Sequence, residues 1–201
     1  MTPVRRSRQS TLRLSTGEAL IPTKNTLESC SAKVGTEKKR SIISNGASEM
    51  EGELSLQKGL ELFVYIDGAS RGNPGRAGAG IYITDREGKK IAGIARYLGH
   101  KTNNEAEYGA LLLGLQEAKG LGGQSIHVYT DSELIARQIA GIYRVKELHL
   151  RILHQKAMEM IRAFGSFEIG SIPREENQEA DLLANQAIER KITKEKEESL
   201  K

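Results

Sequence analysis

The sequence predicts a mixed α/β domain with the element order βββαβααβα, covering residues 59–192 of 201. Three observations predict it. Leu60, Leu62, Val64 and Ile66 alternate with Glu61, Phe63, Tyr65 and Asp67, the period of two of a strand. A capping-box pattern, Thr102-Asn-Asn-Glu105, follows three strand-like segments and opens a helix. Ser125–Thr130 is then a strand reached only through that helix, so it should lie parallel to an earlier one.

The remaining elements follow in order. Gly68 to Gly80 reads as glycine-rich turn sequence around Asn73-Pro74. Ala79–Thr84 and Lys90–Tyr97 are two strands joined by a hairpin turn at Asp85–Gly88. The helix from Thr102 reaches about Lys119, where Gly120, Gly122 and Gly123 end it. Ser132–Ala140 is a short helix, and Lys146–Phe164 a longer one with Leu148, Ile152, Leu153, Met160 and Ile161 at mostly helical spacing. Ser166–Ile172 is a fifth strand, and Asn177–Arg190 a final helix rich in Ala and Leu. Residues 193–201 read as a charged tail.

Residues 1–58 differ in kind. They hold 15 Ser or Thr, no Phe and no Tyr, and 10 Lys or Arg against 6 acids. The whole formal excess of +4 therefore sits there, and the remainder balances at 20 against 20. Without an apolar period the segment reads as a disordered basic arm. Its arginines would add nonspecific phosphate affinity. A solvated tail, which puts the protein in the cytoplasm, an organellar targeting segment, and an over-extended reading frame ahead of Met50 all fit this composition. One cysteine, Cys30, excludes an intrachain disulfide and a cysteine-based zinc site. No apolar run nears about 18 residues, so no membrane helix and no membrane partner are expected.

Four acids stand where an ordinary core would not place them. Asp67 ends the first strand and Asp131 the fourth, where sites gather in open α/β sheets. If those strands are parallel neighbours, the two carboxylates lie side by side. Leu111, Gly114, Leu115 and Ala118 fall within roughly 80° of Glu107 on the helix wheel, so Glu107 faces the sheet. Glu105 falls about 160° away and serves the cap. Asp181 lies on the final helix beside Ala180 and Leu182. Each acid alone also suits a helix cap or a surface position, and Asp131-Ser132 is a good cap by itself. Taken together, clustered carboxylates repel and need a compensating cation. An all-oxygen set favours Mg²⁺ or Mn²⁺, and two such ions suit phosphodiester cleavage.

The motif blocks Tyr65-Ile-Asp-Gly-Ala-Ser-Arg-Gly-Asn-Pro-Gly75, Thr102-Asn-Asn-Glu-Ala-Glu107, Tyr129-Thr-Asp-Ser132 and Arg174-Glu-Glu-Asn-Gln-Glu-Ala-Asp181-Leu-Leu-Ala184 occur in this order. In them the chain resembles type 1 ribonuclease H over about residues 60–190. The resemblance implies a five-stranded mixed sheet, its first three strands antiparallel, with helices on both faces. It implies a catalytic and metal-binding quartet of Asp67, Glu107, Asp131 and Asp181. Asp67 and Asp131 would help bridge two Mg²⁺ or Mn²⁺ ions, Glu107 would contact metal and the ribose side, and Asp181 would hold the second ion. The implied activity is endonucleolytic cleavage of the RNA strand of an RNA–DNA hybrid, leaving 3′-hydroxyl and 5′-phosphate ends.

The resemblance also implies substrate contacts. Asn73, Asn103 and Asn104 match minor-groove residues, whose amides can recognise a 2′-hydroxyl. Thr102, at a helix start, suits a DNA phosphate. Gly68, Ser132, Arg174 and Asn177 complete the implied substrate-binding set. The chain departs from many members in three places. Ser171-Ile-Pro-Arg174 carries no His where a loop His is common, and members similar to the archaeal subgroup share its proline-arginine-acid pattern. Gly141-Ile-Tyr-Arg-Val-Lys146 is too short for a basic protrusion, although Arg144 and Lys146 could touch phosphate. Gln178 stands where an acid that supports the metal ligands is common.

Other chemistries are not supported. His149 and His154 lie about 140° apart on a helix wheel, and His100 and His127 are isolated. There is no Walker A motif and no HExxH. Cleavage of double-stranded RNA by the same fold, and a non-catalytic nucleic-acid-binding module, stand as alternatives. No protein partner is indicated, so a monomer is expected.

Overall fold

The computed structural model describes residues 12–14 and 59–200. The described elements are β1 (Leu12–Leu14), β2 (Leu60–Gly72), β3 (Gly75–Thr84), β4 (Lys90–Lys101), α1 (Asn103–Gly120), β5 (Gly123–Thr130), α2 (Glu133–Ile139), α3 (Leu148–Ile161), β6 (Ser166–Ser171) and α4 (Gln178–Ser199). A 3₁₀ turn, Arg174–Glu176, precedes α4. One sheet runs β1-β6-β5-β2-β3-β4. β2, β3 and β4 pair antiparallel, β2–β5 and β5–β6 pair parallel, as expected for the five strands of the domain.

Helices cover both faces. Leu62, Val64, Ile66, Ile81 and Ile83 are buried. A Cβ added at Gly114 of α1 would meet Val64 and Ile66, which places α1 on that face. α2 and α3 extend the same core through Ile135, Ile139, Leu150 and Ile161. On the opposite face α4 lies across β3, its Ala180 and Ala184 against Gly78 and Gly80.

Three expectations need correction. The segment Gly68–Gly80 is not a glycine-rich turn. Its residues extend β2 and begin β3, leaving a tight turn at Asn73-Pro74, whose peptide bond is cis. The glycines serve close helix approach. A Cβ at Gly80 would come within 1.9 Å of the Ala180 carbonyl oxygen, and one at Gly78 within 2.3 Å of that of Ala184. Second, the expected charged tail is helical, because α4 runs on to Ser199. Arg76 Nη2 donates to Glu195 Oε2 at 2.9 Å, and Lys191 pairs with the same carboxylate at 3.5 Å. Third, residues 12–14 of the expected disordered arm form β1, antiparallel to β6, with Leu12 opposite Ile169. An edge strand offers unpaired backbone groups that any short extended segment can use. The rest of the arm lies outside the described residues.

Among the described residues no helix is long and apolar enough to cross a membrane.

Candidate active site

The register of the sheet assembles the site. Ile66 of β2 lies beside Thr130 of β5, so Asp67 and Asp131 are the next pair along two parallel strands. α1 enters from the other side. Its N-cap Thr102 forms the full capping box with Glu105: the Glu105 N–H donates to Thr102 Oγ1 at 3.3 Å, and Thr102 N–H donates to Glu105 Oε2 at 2.9 Å. One turn on, Glu107 points into the domain and is buried. Gly68 makes this approach possible, since a Cβ there would come within 2.2 Å of the Glu107 nitrogen.

Carboxylate oxygens of Asp67, Glu107 and Asp131 lie within 4.8 Å of one another. Burial, then the charges of Asp131 and Asp181, push Asp67 up to about 7. Burial, then Asp67 and Asp131, push Glu107 well above the usual carboxylate range, and a hydrogen bond from the Gly68 backbone opposes this. Glu107 Oε2 is buried with no hydrogen-bond partner. Three converging carboxylates with an unspent, desolvated oxygen form a hard-oxygen donor set suited to a divalent cation.

Asp181 borders the same cavity of about 260 Å³ but stands outside the three-carboxylate cluster. Arg174 Nη2 donates to its Oδ1 at 2.6 Å, and Asn185 Nδ2 donates to its Oδ2 at 3.2 Å. That hydrogen bond, and the charges of Asp181, Asp131 and Asp67, hold Arg174 firmly in its cationic form. Asn185 was not singled out from the sequence. Its spacing of four from Asp181 on a helix is the signal that could have marked it.

The expected substrate residues separate into groups. Asn103 and Gly68 border the carboxylate cavity, and Asn73 Oδ1 accepts the Asn103 N–H at 3.1 Å, which joins the β2–β3 turn to α1. Asn104 faces a neighbouring groove of about 470 Å³ together with Tyr143, Arg144 and Lys146. The Thr102 hydroxyl also donates to Glu105 Oε2 at 2.9 Å, so it is engaged within the cap. Ser132 starts α2 without a side-chain cap bond. Asn177, expected among the substrate-binding residues, is 1% exposed. Its Nδ2 donates to the Ile66 carbonyl at 2.9 Å and reaches Asp131 Oδ1 at 3.3 Å. It braces the carboxylates from below, because the 3₁₀ turn before α4 tucks it beneath the strand ends.

A family model described as "Reverse transcriptase-like" matches residues 65–187. The chain is 36% identical over 149 residues to a ribonuclease HI of Halobacterium salinarum, covering 74% of this chain and 75% of that protein. It spans only 36% of a bifunctional protein of Mycobacterium tuberculosis, also at 36% identity. Among solved structures, RNase H1 of Halobacterium salinarum superposes with a TM-score of 0.64, covering 65% of this chain and 98% of that one. LC11-RNase H1 in complex with an RNA/DNA hybrid is 38% identical, with a TM-score of 0.63, covering 65% and 99%.

Proposed function

The chain belongs to the type 1 ribonuclease H (ribonuclease HI) family, a family of hydrolases, and on that premise we propose that it cleaves the RNA strand of RNA–DNA hybrids to 3′-hydroxyl and 5′-phosphate ends. One observation carries the reading: Asp67, Glu107 and Asp131 converge within 4.8 Å although burial and mutual repulsion oppose it. A fold keeps such a cluster when a cation and a substrate phosphate repay it. The hybrid complex of LC11-RNase H1 supports the substrate class.

Two divalent ions, Mg²⁺ or Mn²⁺, supply when bound the activation of water and the stabilisation of the leaving oxygen. Asp67, Glu107 and Asp131 would hold the first, and Asp181 with Asp67 the second. Asp67, raised to about 7, is close to half-protonated at neutral pH without a cation, so cation binding releases that proton. Asn177 keeps the ends of β2 and β5 in register beneath the cluster. Asn103 on the rim, Asn73 in the adjoining turn and Asn104 in the neighbouring groove carry amide groups with which a 2′-hydroxyl can both donate and accept. Arg174 is exposed and reaches the phosphate side of the cavity once it leaves Asp181. Every named group comes from one chain, which suits a monomer.

The test compares labelled RNA–DNA hybrid, double-stranded RNA and double-stranded DNA with Mg²⁺ or Mn²⁺. Hybrid alone should be cut, in the RNA strand. Asp67→Asn should lower the rate by several kcal/mol of transition-state stabilisation, roughly 10³-fold, with the fold kept. Undiminished cleavage by this variant sinks the assignment.

A further inference from the structure

At the tip of the β2–β3 turn, Arg71, Gly72, Asn73 and Pro74 are all exposed. Gly75 behind them is buried and pairs with Gly72 on one side and with Lys101 of β4 on the other. A Cβ at Gly75 would come within 2.0 Å of the Arg71 carbonyl oxygen, so the turn closes backbone against backbone. A tip of exposed residues draws little from burial, so its place relative to α1 depends on hydrogen bonds.

Among the described residues, two side-chain bonds tie this turn to the start of α1. Asn73 Oδ1 accepts the Asn103 N–H at 3.1 Å. Ser70 Oγ donates to the Lys101 carbonyl oxygen at 2.8 Å. It also lies 2.6 Å from the Gly72 carbonyl oxygen, and its one hydrogen is shared between the two. Gly72 directly precedes Asn73, and Lys101 directly precedes Thr102-Asn103. One hydroxyl therefore holds the backbone on both sides of the Asn73–Asn103 contact. The capping box holds the far side of the same segment, with the Thr102 N–H on Glu105 Oε2. Ser70 borders the carboxylate cavity, but its hydroxyl hydrogen goes to these backbone carbonyls and not to a carboxylate.

Amides that read a 2′-hydroxyl work best when held in place before the substrate arrives, because groups ordered only on binding lose affinity. We propose that Ser70 is a positioning residue for ribose recognition. Its hydroxyl clamps the β2–β3 turn to the β4–α1 junction and so fixes the spacing between the Asn73 and Asn103 side chains. This role rests on the hybrid-cleavage function proposed above and adds a residue that touches neither metal nor substrate. Asn73 spends Oδ1 on its own tie and keeps Nδ2 for a substrate. Without the Ser70 hydroxyl, Asn73 must be both the tie and the reader. The cost therefore falls on the discrimination of RNA from DNA, and the carboxylate cluster is left intact.

The test uses the full chain carrying Asp67→Asn, in which cleavage is suppressed. It measures Kd with Mg²⁺ for one labelled sequence, once as RNA–DNA hybrid and once as DNA duplex. Adding Ser70→Ala should lower the preference for hybrid over duplex about fivefold, the effect of losing one hydrogen bond of ordinary strength. Ser70→Thr, which keeps the hydroxyl, should restore the preference to within about twofold. With Asp67 intact, Ser70→Ala should raise KM for hybrid by a similar factor while kcat stays within about twofold. Its affinity for Mn²⁺ should not move. A merely structural role would weaken hybrid and duplex alike. Three results would overturn the proposal: an unchanged preference in Ser70→Ala, a Ser70→Thr chain as impaired as Ser70→Ala, or a loss of Mn²⁺ affinity in place of the loss of preference. If the Asp67→Asn chain itself shows no preference for hybrid, the hybrid-cleavage function falls and the Ser70 role with it. A preference that is present there but untouched by Ser70→Ala sinks the Ser70 role alone.

Discussion

Arg174 and Asp181 are paired, guanidinium to carboxylate at 2.6 Å, and Asp181 stands outside the cluster formed by the other three acids. The guanidinium occupies the carboxylate that a second cation would need. Arg174→Ala leaves Asp181 with Asn185 as its side-chain partner. Affinity for Mn²⁺ should then rise about fivefold, the equivalent of the ~1 kcal/mol upper range for an exposed pair. Calorimetric titration of the full chain checks this, and an unchanged affinity would show that the pair does not compete with the cation.

Metal-free stability should depend on pH in an unusual direction. Asp67 sits near 7 in the fold against 3.8 ordinarily. Between those values the folded protein keeps a proton that the unfolded chain has released, so stability falls as pH rises from about 4 to about 7 and then levels off. The Asp67 share is on the order of 4 kcal/mol, and Glu107 adds to it in the same direction. Urea denaturation with chelator at pH 5 and pH 8 should show this loss, and Asp67→Asn should reduce it. Mg²⁺ at pH 8 should restore stability.

Gly80→Ala should be costly despite its small size. The added methyl would sit 1.9 Å from the Ala180 carbonyl oxygen and 2.5 Å from the Ala184 nitrogen. Backbone cannot rotate aside, so the cost should approach the ~3 kcal/mol end of overpacking. α4 must move, and Asp181 follows Ala180 directly, so hybrid cleavage should fall as well. Denaturation and rate measurements on one preparation check both effects.

Thr102→Ala removes the hydroxyl from both side-chain bonds of the capping box. The expected loss is about 1 kcal/mol. Glu105 is held below the usual carboxylate range chiefly by its bond from the Thr102 backbone. Its stabilising contribution is therefore present above the ordinary Glu range and lost as pH falls through the lowered value. Denaturation of wild type and variant at neutral and acid pH should show the difference narrowing in acid.

Much of the site was legible because local signals and a topology rule agreed. The alternation through Ile66 placed Asp67 on the face away from the α1 core. The helix between β4 and β5 required a parallel return, which set Asp131 beside it. The wheel around Leu111 and Leu115 turned Glu107 inward, where it is found buried. The depth of Asn177 was not legible, because a motif position says nothing about burial. Gly78 and Gly80 misled because glycine marks a tight turn and a tight helix contact with the same letter.

The sequence by itself determined the strand and helix order of residues 59–192 and the identity of the four carboxylates. Those properties depend on periods of two and 3.6 residues and on caps, all contained within short windows. Only the tertiary structure decided how closely three of the acids converge and that Asp181 lies outside them, bonded to Arg174 and Asn185. It also decided that glycines of β3 admit α4, that Leu12–Leu14 closes one sheet edge, and that Asn177 is buried beneath the cluster, bonded to the Ile66 carbonyl and Asp131. Each of these depends on a contact between segments distant in the chain, and such contacts exist only once backbone and side chains share one packed interior.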